Sequence, residues 1–161
     1  MEEKQSILQF MINEHGALYE LLAGFRFQLS SAQNIPATIR NFEKFKEKLT
    51  PHHLAEENVI FNSDTKTATN QIVKVLKKEH EIIESLVKKI DLNLKENTDS
   101  FDNAANLQRI LRAHLSLEEK RFYPLLDKEL NEKEKEELIQ KVLAITQPKK
   151  GTLQKIISFF G

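Results

Sequence analysis

His52-His53-Leu54-Ala55-Glu56-Glu57-Asn58-Val59-Ile60-Phe61 is the stretch on which the reading of this chain turns. His52 and Glu56 stand four residues apart, so on a helix both project from one face. That face is otherwise apolar: Ile39, Phe42, Phe45, Leu49 and Ile60 recur at three- and four-residue intervals, and the histidine and glutamate fill its gaps. A second copy of the pattern lies downstream, His114-Leu-Ser-Leu-Glu118-Glu119-Lys-Arg-Phe-Tyr-Pro, inside the stripe Ala104, Leu107, Leu111, Phe122 and Leu125. Two further stripes are each broken by one histidine. His15 interrupts Leu8, Met11, Leu18, Leu22, Phe25 and Leu29, and His80 interrupts Ile72, Leu76, Ile83, Val87, Ile90 and Leu94. The three-four alternation in all four segments predicts amphipathic helices.

The connections support the same partition. The first helix is expected from Glu2 to about Ser31, and Pro36 suits the opening turn of the second, which runs to about Phe61. Pro51 inside it is expected to bend the axis just before His52. Polar stretches at 62–66 and 96–100 bound a third helix ending near Lys95 and open a fourth. Asn131 followed by Glu134 reads as a capping box for a short fifth helix to about Ile145, closed by Pro148. The tail from Lys149 to Gly161 carries Ile156, Ile157, Phe159 and Phe160 behind two lysines, and is expected to fold back or pack in a dimer rather than lie on a membrane. Long helices joined by short loops favour an all-α, up-down-up-down antiparallel four-helix bundle over residues 1–130, with 131–161 as a short helix and tail packed on it.

Height along the bundle tests whether the gaps can meet. His15 lies about 17 residues before the first loop and His52 about 17 after it, roughly 26 Å each at the helical rise, so the two should be level. His80 and His114 come within roughly one turn of the same layer. A lone histidine in a stripe is ordinarily a hydrogen-bonded core residue; four in four helices at one height are not so explained. Four imidazoles and two carboxylates buried together need a counter-charge, and metal cations supply it. With no cysteine in the chain the donors are nitrogen and oxygen only. Six side chains exceed the four that a tetrahedral zinc takes, so two iron or manganese ions suit them better. If both carboxylates bridge, each ion receives two imidazoles and two carboxylate oxygens, with room left for a bridging oxygen and a small exogenous ligand.

The composition excludes several other classes. The chain has 161 residues, the scale of one domain, and its 24 basic and 24 acidic residues are interleaved with zero net charge, which argues against a nucleic-acid surface. The acidic N-terminus leads into no apolar run of signal or spanning length, so a cytoplasmic protein without membrane association is expected.

The ordered set Glu14-His15, His52-x-x-x-Glu56, Glu79-His80 and His114-x-x-x-Glu118 resembles the hemerythrin-like family over about Glu14 to Leu126. Ferritin-like bundles would instead show E-x-x-H pairs. The resemblance implies a non-haem, oxo- or hydroxo-bridged centre of two iron ions with His15, His52, Glu56, His80, His114 and Glu118 as ligands. It pairs His15 with His114 and His52 with His80, with Glu56 and Glu118 as bridges. Oxygen carriers of the family add a histidine four positions from the one on the third helix, where this chain has Leu76 and Glu84. Their fourth-helix carboxylate is also an aspartate one residue later. The resemblance is therefore nearer to the four-histidine, two-glutamate branch associated with nitric oxide response and iron-centre repair.

The expected function is binding or sensing of O2, NO or peroxide at open metal positions. The alternatives are an enzyme of nitric oxide or peroxide reduction or iron-centre repair, served by an external electron donor, and an iron store. His53 and Glu57 form a rival four-residue pair, but Phe45 precedes His52 by seven whereas Lys46 precedes His53, so the stripe selects His52 and leaves His53 at the surface or behind the ligands. Glu57 and Glu119 either orient imidazoles or face solvent. Glu84 is expected on a solvated face. Tyr19 and Tyr123 are expected to pack with satisfied hydroxyls.

Overall fold

A computed structural model describes residues 6–31, 35–63 and 67–147; residues 1–5 and the expected tail from Lys149 lie outside the described residues. Helix α1 spans Ile7–Ser31, α2 Ile35–Ala55, α3 Thr67–Lys95, α4 Phe101–Leu117, α5 Tyr123–Glu129 and α6 Glu132–Thr146. Two single π turns, Glu56–Ile60 and Glu118–Phe122, extend α2 and join α4 to α5. Among the described residues there is no strand. The α4–π–α5 segment is one rod, so four long rods form the expected bundle, with α6 as the fifth.

Several of the rods have an identifiable start or stop. Ser6 caps α1, its Oγ accepting from the Gln9 amide at 3.0 Å, and α1 runs from Ile7; the expected start at Glu2 lies outside the described residues. The carboxylate of Asp127, at the far end of the fourth rod, accepts from the Ile7 and Leu8 amides at 2.8 and 3.1 Å and pins the two ends together. Pro51 sits inside α2 without ending it. Asn97 closes α3 with a φ of 54°, a left-handed conformation that asparagine tolerates. Asn131 and Glu134 form the expected capping box of α6.

Packing runs around a ring: α1 against α2, α2 against α3, α3 against α4, and α4 back against α1. Helix α6 lies along α2 and its π turn, burying Leu138, Ile139, Val142 and Ile145. The apolar core is split in two. One half gathers Ile7, Met11, Ile60, Leu76, Phe122 and Leu126; the other gathers Leu22, Phe25, Phe45, Ile83, Leu107 and Leu111. The histidines sit between the halves.

The π turns revise the register read from the sequence. Each opens at the glutamate of an H-x-x-x-E motif, with the Phe61 amide reaching the Glu56 carbonyl at 2.7 Å and the Tyr123 amide reaching the Glu118 carbonyl. The extra residue in each turn faces two consecutive side chains inward, Ile60 with Phe61 and Phe122 with Tyr123. Beyond Glu118 the buried stripe therefore continues at Leu126, and Leu125, expected on that stripe, is only half-buried.

Candidate metal centre

The layer is built from one position on each rod. His15 follows Met11 on α1, His52 precedes the first π turn by one helical turn, His80 lies between Leu76 and Ile83 on α3, and His114 follows Leu111 on α4. All four imidazoles are buried, and Glu56 and Glu118 are at 0% exposure. The structure brings the six residues expected at the site together.

Their grouping differs from the pairing implied by family resemblance. One cluster of close donor atoms comprises His15, His52, Glu56 and Glu118; the other comprises His53, Glu56, His80 and His114, in each case within 4.8 Å of one another. Thus His15 faces His52, not His114, with ring centroids 5.2 Å apart. His80 faces His114, Nε2 to Nε2 at 3.2 Å.

Each glutamate divides its oxygens between histidines of the two clusters. Oε1 of Glu56 lies 3.2 Å from His52 Nε2 and its Oε2 lies 3.2 Å from His80 Nε2. Oε2 of Glu118 lies 3.4 Å from His15 Nε2 and its Oε1 lies 3.4 Å from His114 Nε2. These approaches are close but several are not aligned as hydrogen bonds: His15 Nε2, both nitrogens of His52, Glu56 Oε2 and both oxygens of Glu118 are buried without a hydrogen-bond partner. Orphaned polar atoms at this density are costly in a protein interior unless something fills the space between them. Divalent cations fit a donor set of imidazole nitrogens and carboxylate oxygens.

Carboxylates outside the layer set the orientation of three rings. Glu119 accepts from His15 Nδ1 at 2.9 Å, Glu57 from His80 Nδ1 at 2.8 Å and Glu79 from His114 Nδ1 at 2.9 Å. An ionised carboxylate only accepts, so the proton is on Nδ1 and, in the neutral ring, the Nε2 lone pair faces the layer. Of the two readings open for Glu57 and Glu119, the structure selects the orienting one. Glu79 is not among the residues that the spacing within one helix points to; its place directly before His80, like Glu14 before His15, is the available signal. Glu14 instead meets Lys48 at 2.6 Å. Glu84 is exposed, as expected, and Tyr19 is half-buried.

The electrostatics of the two buried carboxyls oppose one another. Burial, then the neighbouring Glu56, pushes the Glu118 carboxyl well above the usual carboxylate range. Burial acts in the same direction on Glu56, but His52 and His80 outweigh it and hold that carboxyl well below the range. Two adjacent buried carboxylates thus share the burden unequally, and a cation between them would favour the ionised form of both. Burial is also the main cause that lowers His15 and, more strongly, His53, keeping both rings in the neutral form that ligation requires. On His80 burial is outweighed by Glu56 and Glu57, and its pKa rises.

His53 narrows the sequence reading. It is not at the surface: it is 5% exposed and stacks on His80 with centroids 3.8 Å apart and planes 14° from parallel. Tyr123 hydrogen-bonds into the layer, its hydroxyl donating to Glu56 Oε1 at 2.6 Å. Phe61 tilts against His80 from one side, with centroids 5.5 Å apart.

Comparison with known proteins adds one finding to this geometry. The family model described as hemerythrin HHE cation binding domain matches residues 6–126, which takes in all five histidines and both glutamates of the layer. No curated protein and no solved structure matches the chain. Among the described residues no helix is long and apolar enough to cross a membrane.

Proposed function

Because this chain belongs to the hemerythrin HHE cation-binding domain family, we propose that its buried layer holds two iron ions and binds or senses a small ligand such as O2, NO or peroxide. The observation that carries this reading is the division of Glu56 and Glu118: each turns one oxygen to a histidine of either cluster. Carboxylates so placed would be able to serve two ions at once. His15 and His52 would hold one ion, and His80 and His114 the other. The iron pair supplies reversible electron and ligand chemistry when bound. The chain's own part is to fix the imidazoles by Glu119, Glu57 and Glu79, to keep Glu56 in place by Tyr123, and to exclude bulk water with the two apolar half-cores.

Anaerobic reconstitution followed by metal analysis and an absorption spectrum tests the proposal. Two irons per chain are expected, and a protein that takes up zinc alone, or no iron, overturns it. Rapid mixing of the reduced, iron-loaded protein with O2, NO or peroxide then reads the ligand step. A stable, reversible spectral change is the outcome expected of a binder or sensor, whereas sustained consumption with an added reductant would make the protein an enzyme.

A further inference from the structure

Resting on the two-ion reading, we infer that His53 is a fifth imidazole ligand, supplied by α2 to the ion at His80 and His114, so that the two metal positions are unequal. Consecutive residues on a helix point about 100° apart, so His52 and His53 cannot share one face. In this bundle they need not. Helix α2 packs between α1 and α3, and the two rings go separate ways: His52 lies against His15 of α1 and His53 against His80 of α3. One helical turn thereby feeds both clusters.

Three features point to ligation rather than to filling space. Nε2 of His53 is buried without a hydrogen-bond partner, a state that a merely stacking ring would leave uncompensated. A donor atom of His53 lies within 4.8 Å of those of Glu56, His80 and His114, as close a set as the one around His15 and His52. And all five histidines of the chain are then used in one layer, three imidazoles at one position and two at the other.

The buried ring of His53 is separated from solvent by little, because it borders a surface cleft. It forms part of the wall of a cleft of about 280 Å³ between α2 and α3, with Lys46, Leu49, Glu57, Val87 and Lys88 among its other walls. A small heterocycle can therefore reach the place of a missing His53 ring from solvent.

The test compares the wild type with His53→Phe and His53→Ala, all loaded anaerobically with ferrous iron, by metal stoichiometry, chelator competition and helicity. His53→Phe keeps a flat ring against His80 and is expected to stay helical while losing at least tenfold in affinity for one of the two ions. His53→Ala is expected to lose the same ion and to regain it when millimolar imidazole is added. A helical His53→Phe that holds two ions with wild-type affinity overturns the inference while leaving the two-ion reading intact; a wild type that holds no pair of ions overturns both. If either variant fails to fold, a crystal structure of the iron-loaded wild type decides. His53 Nε2 within bonding distance of an ion supports the assignment, and Nε2 beyond it refutes it.

Discussion

Tyr123 on the fourth rod donates its phenolic hydrogen to Oε1 of Glu56 on the second, across the centre of the bundle, at 2.6 Å. The second π turn makes this contact by facing Tyr123 inward beside Phe122. Burial, with Glu118 and Glu56 adding to it, raises the phenol well above its ordinary range, so it stays protonated and can only donate towards the carboxylate. Tyr123→Phe keeps the ring and strands a buried acceptor, which costs about 1–3 kcal/mol. Chemical denaturation of the metal-free protein should show that loss, and a variant as stable as the wild type would mean that Glu56 has found another donor.

The Nδ1 hydrogen bonds make a separate prediction for metal affinity. Glu79 touches no atom proposed to bind metal directly; it holds the His114 ring through Nδ1 at 2.9 Å. Glu79→Gln can still accept that hydrogen bond but removes the charge that makes the ring a better donor. Loss of such partners typically weakens metal binding by about 10- to 100-fold. Competition against a chelator of known affinity reads the change, with helicity expected to be unaltered.

Away from the layer, Asp91 ties α3 to α2 through Lys46 and also pairs with Lys95 at 2.6 Å. The Lys46 and Lys95 hydrogen bonds hold the Asp91 carboxyl below its ordinary 3.8. On Lys46, burial is outweighed by Asp91 and Glu43, and its pKa rises above 10.5. A depressed acid contributes stability that is full above its unfolded value and fades as pH falls through the lower folded one; a raised base contributes stability that is full below its unfolded value and fades as pH climbs through the higher folded one. Asp91→Asn should therefore destabilise the protein across the window from about pH 5 to pH 9, by about 0.5–1 kcal/mol since the pair is partly screened by solvent. Urea midpoints at low and high salt check this. A deficit that survives 1 M salt, or persists unchanged at pH 2, would point to packing rather than charge.

How far the sequence could be read depended on which physical rule governed each residue. The bundle and the height of His15, His52, His80 and His114 followed from the 3.6-residue period and the helical rise, which hold wherever a helix is regular. The reading failed where regularity does. Leu125 falls on the buried stripe only if an α-helical period is carried through Glu118–Phe122, a π turn that shifts everything after it by one residue. A surface place for His53 follows if one helix has one inner face, whereas α2 faces α1 and α3 at once and the ring is buried. The partnership of Glu79 with His114 joins two rods at a half-exposed position, and no spacing within one helix encodes it.

Glycine at position 16, immediately after His15, offers a test that separates stability from the site. It lies exposed in the interior of α1, and a Cβ built there meets nothing within 4 Å. At Gly24, which is half-buried, a Cβ likewise meets nothing within 4 Å. Helix-interior glycine costs about 0.5–1 kcal/mol relative to alanine, through the extra freedom it gives the unfolded chain. Gly16→Ala and Gly24→Ala should each stabilise the protein by about that amount, seen as a higher denaturation midpoint at an unchanged slope. The two positions are eight residues and about 12 Å apart along the helix, so the double variant should show the sum of the two gains. Neither methyl group points into the histidine layer, and the metal content of the double variant should equal that of the wild type. If Gly16→Ala instead stabilised the fold while lowering metal content, α1 would need freedom next to His15 to admit the ions, and rigidity bought at that position would be lost from the site.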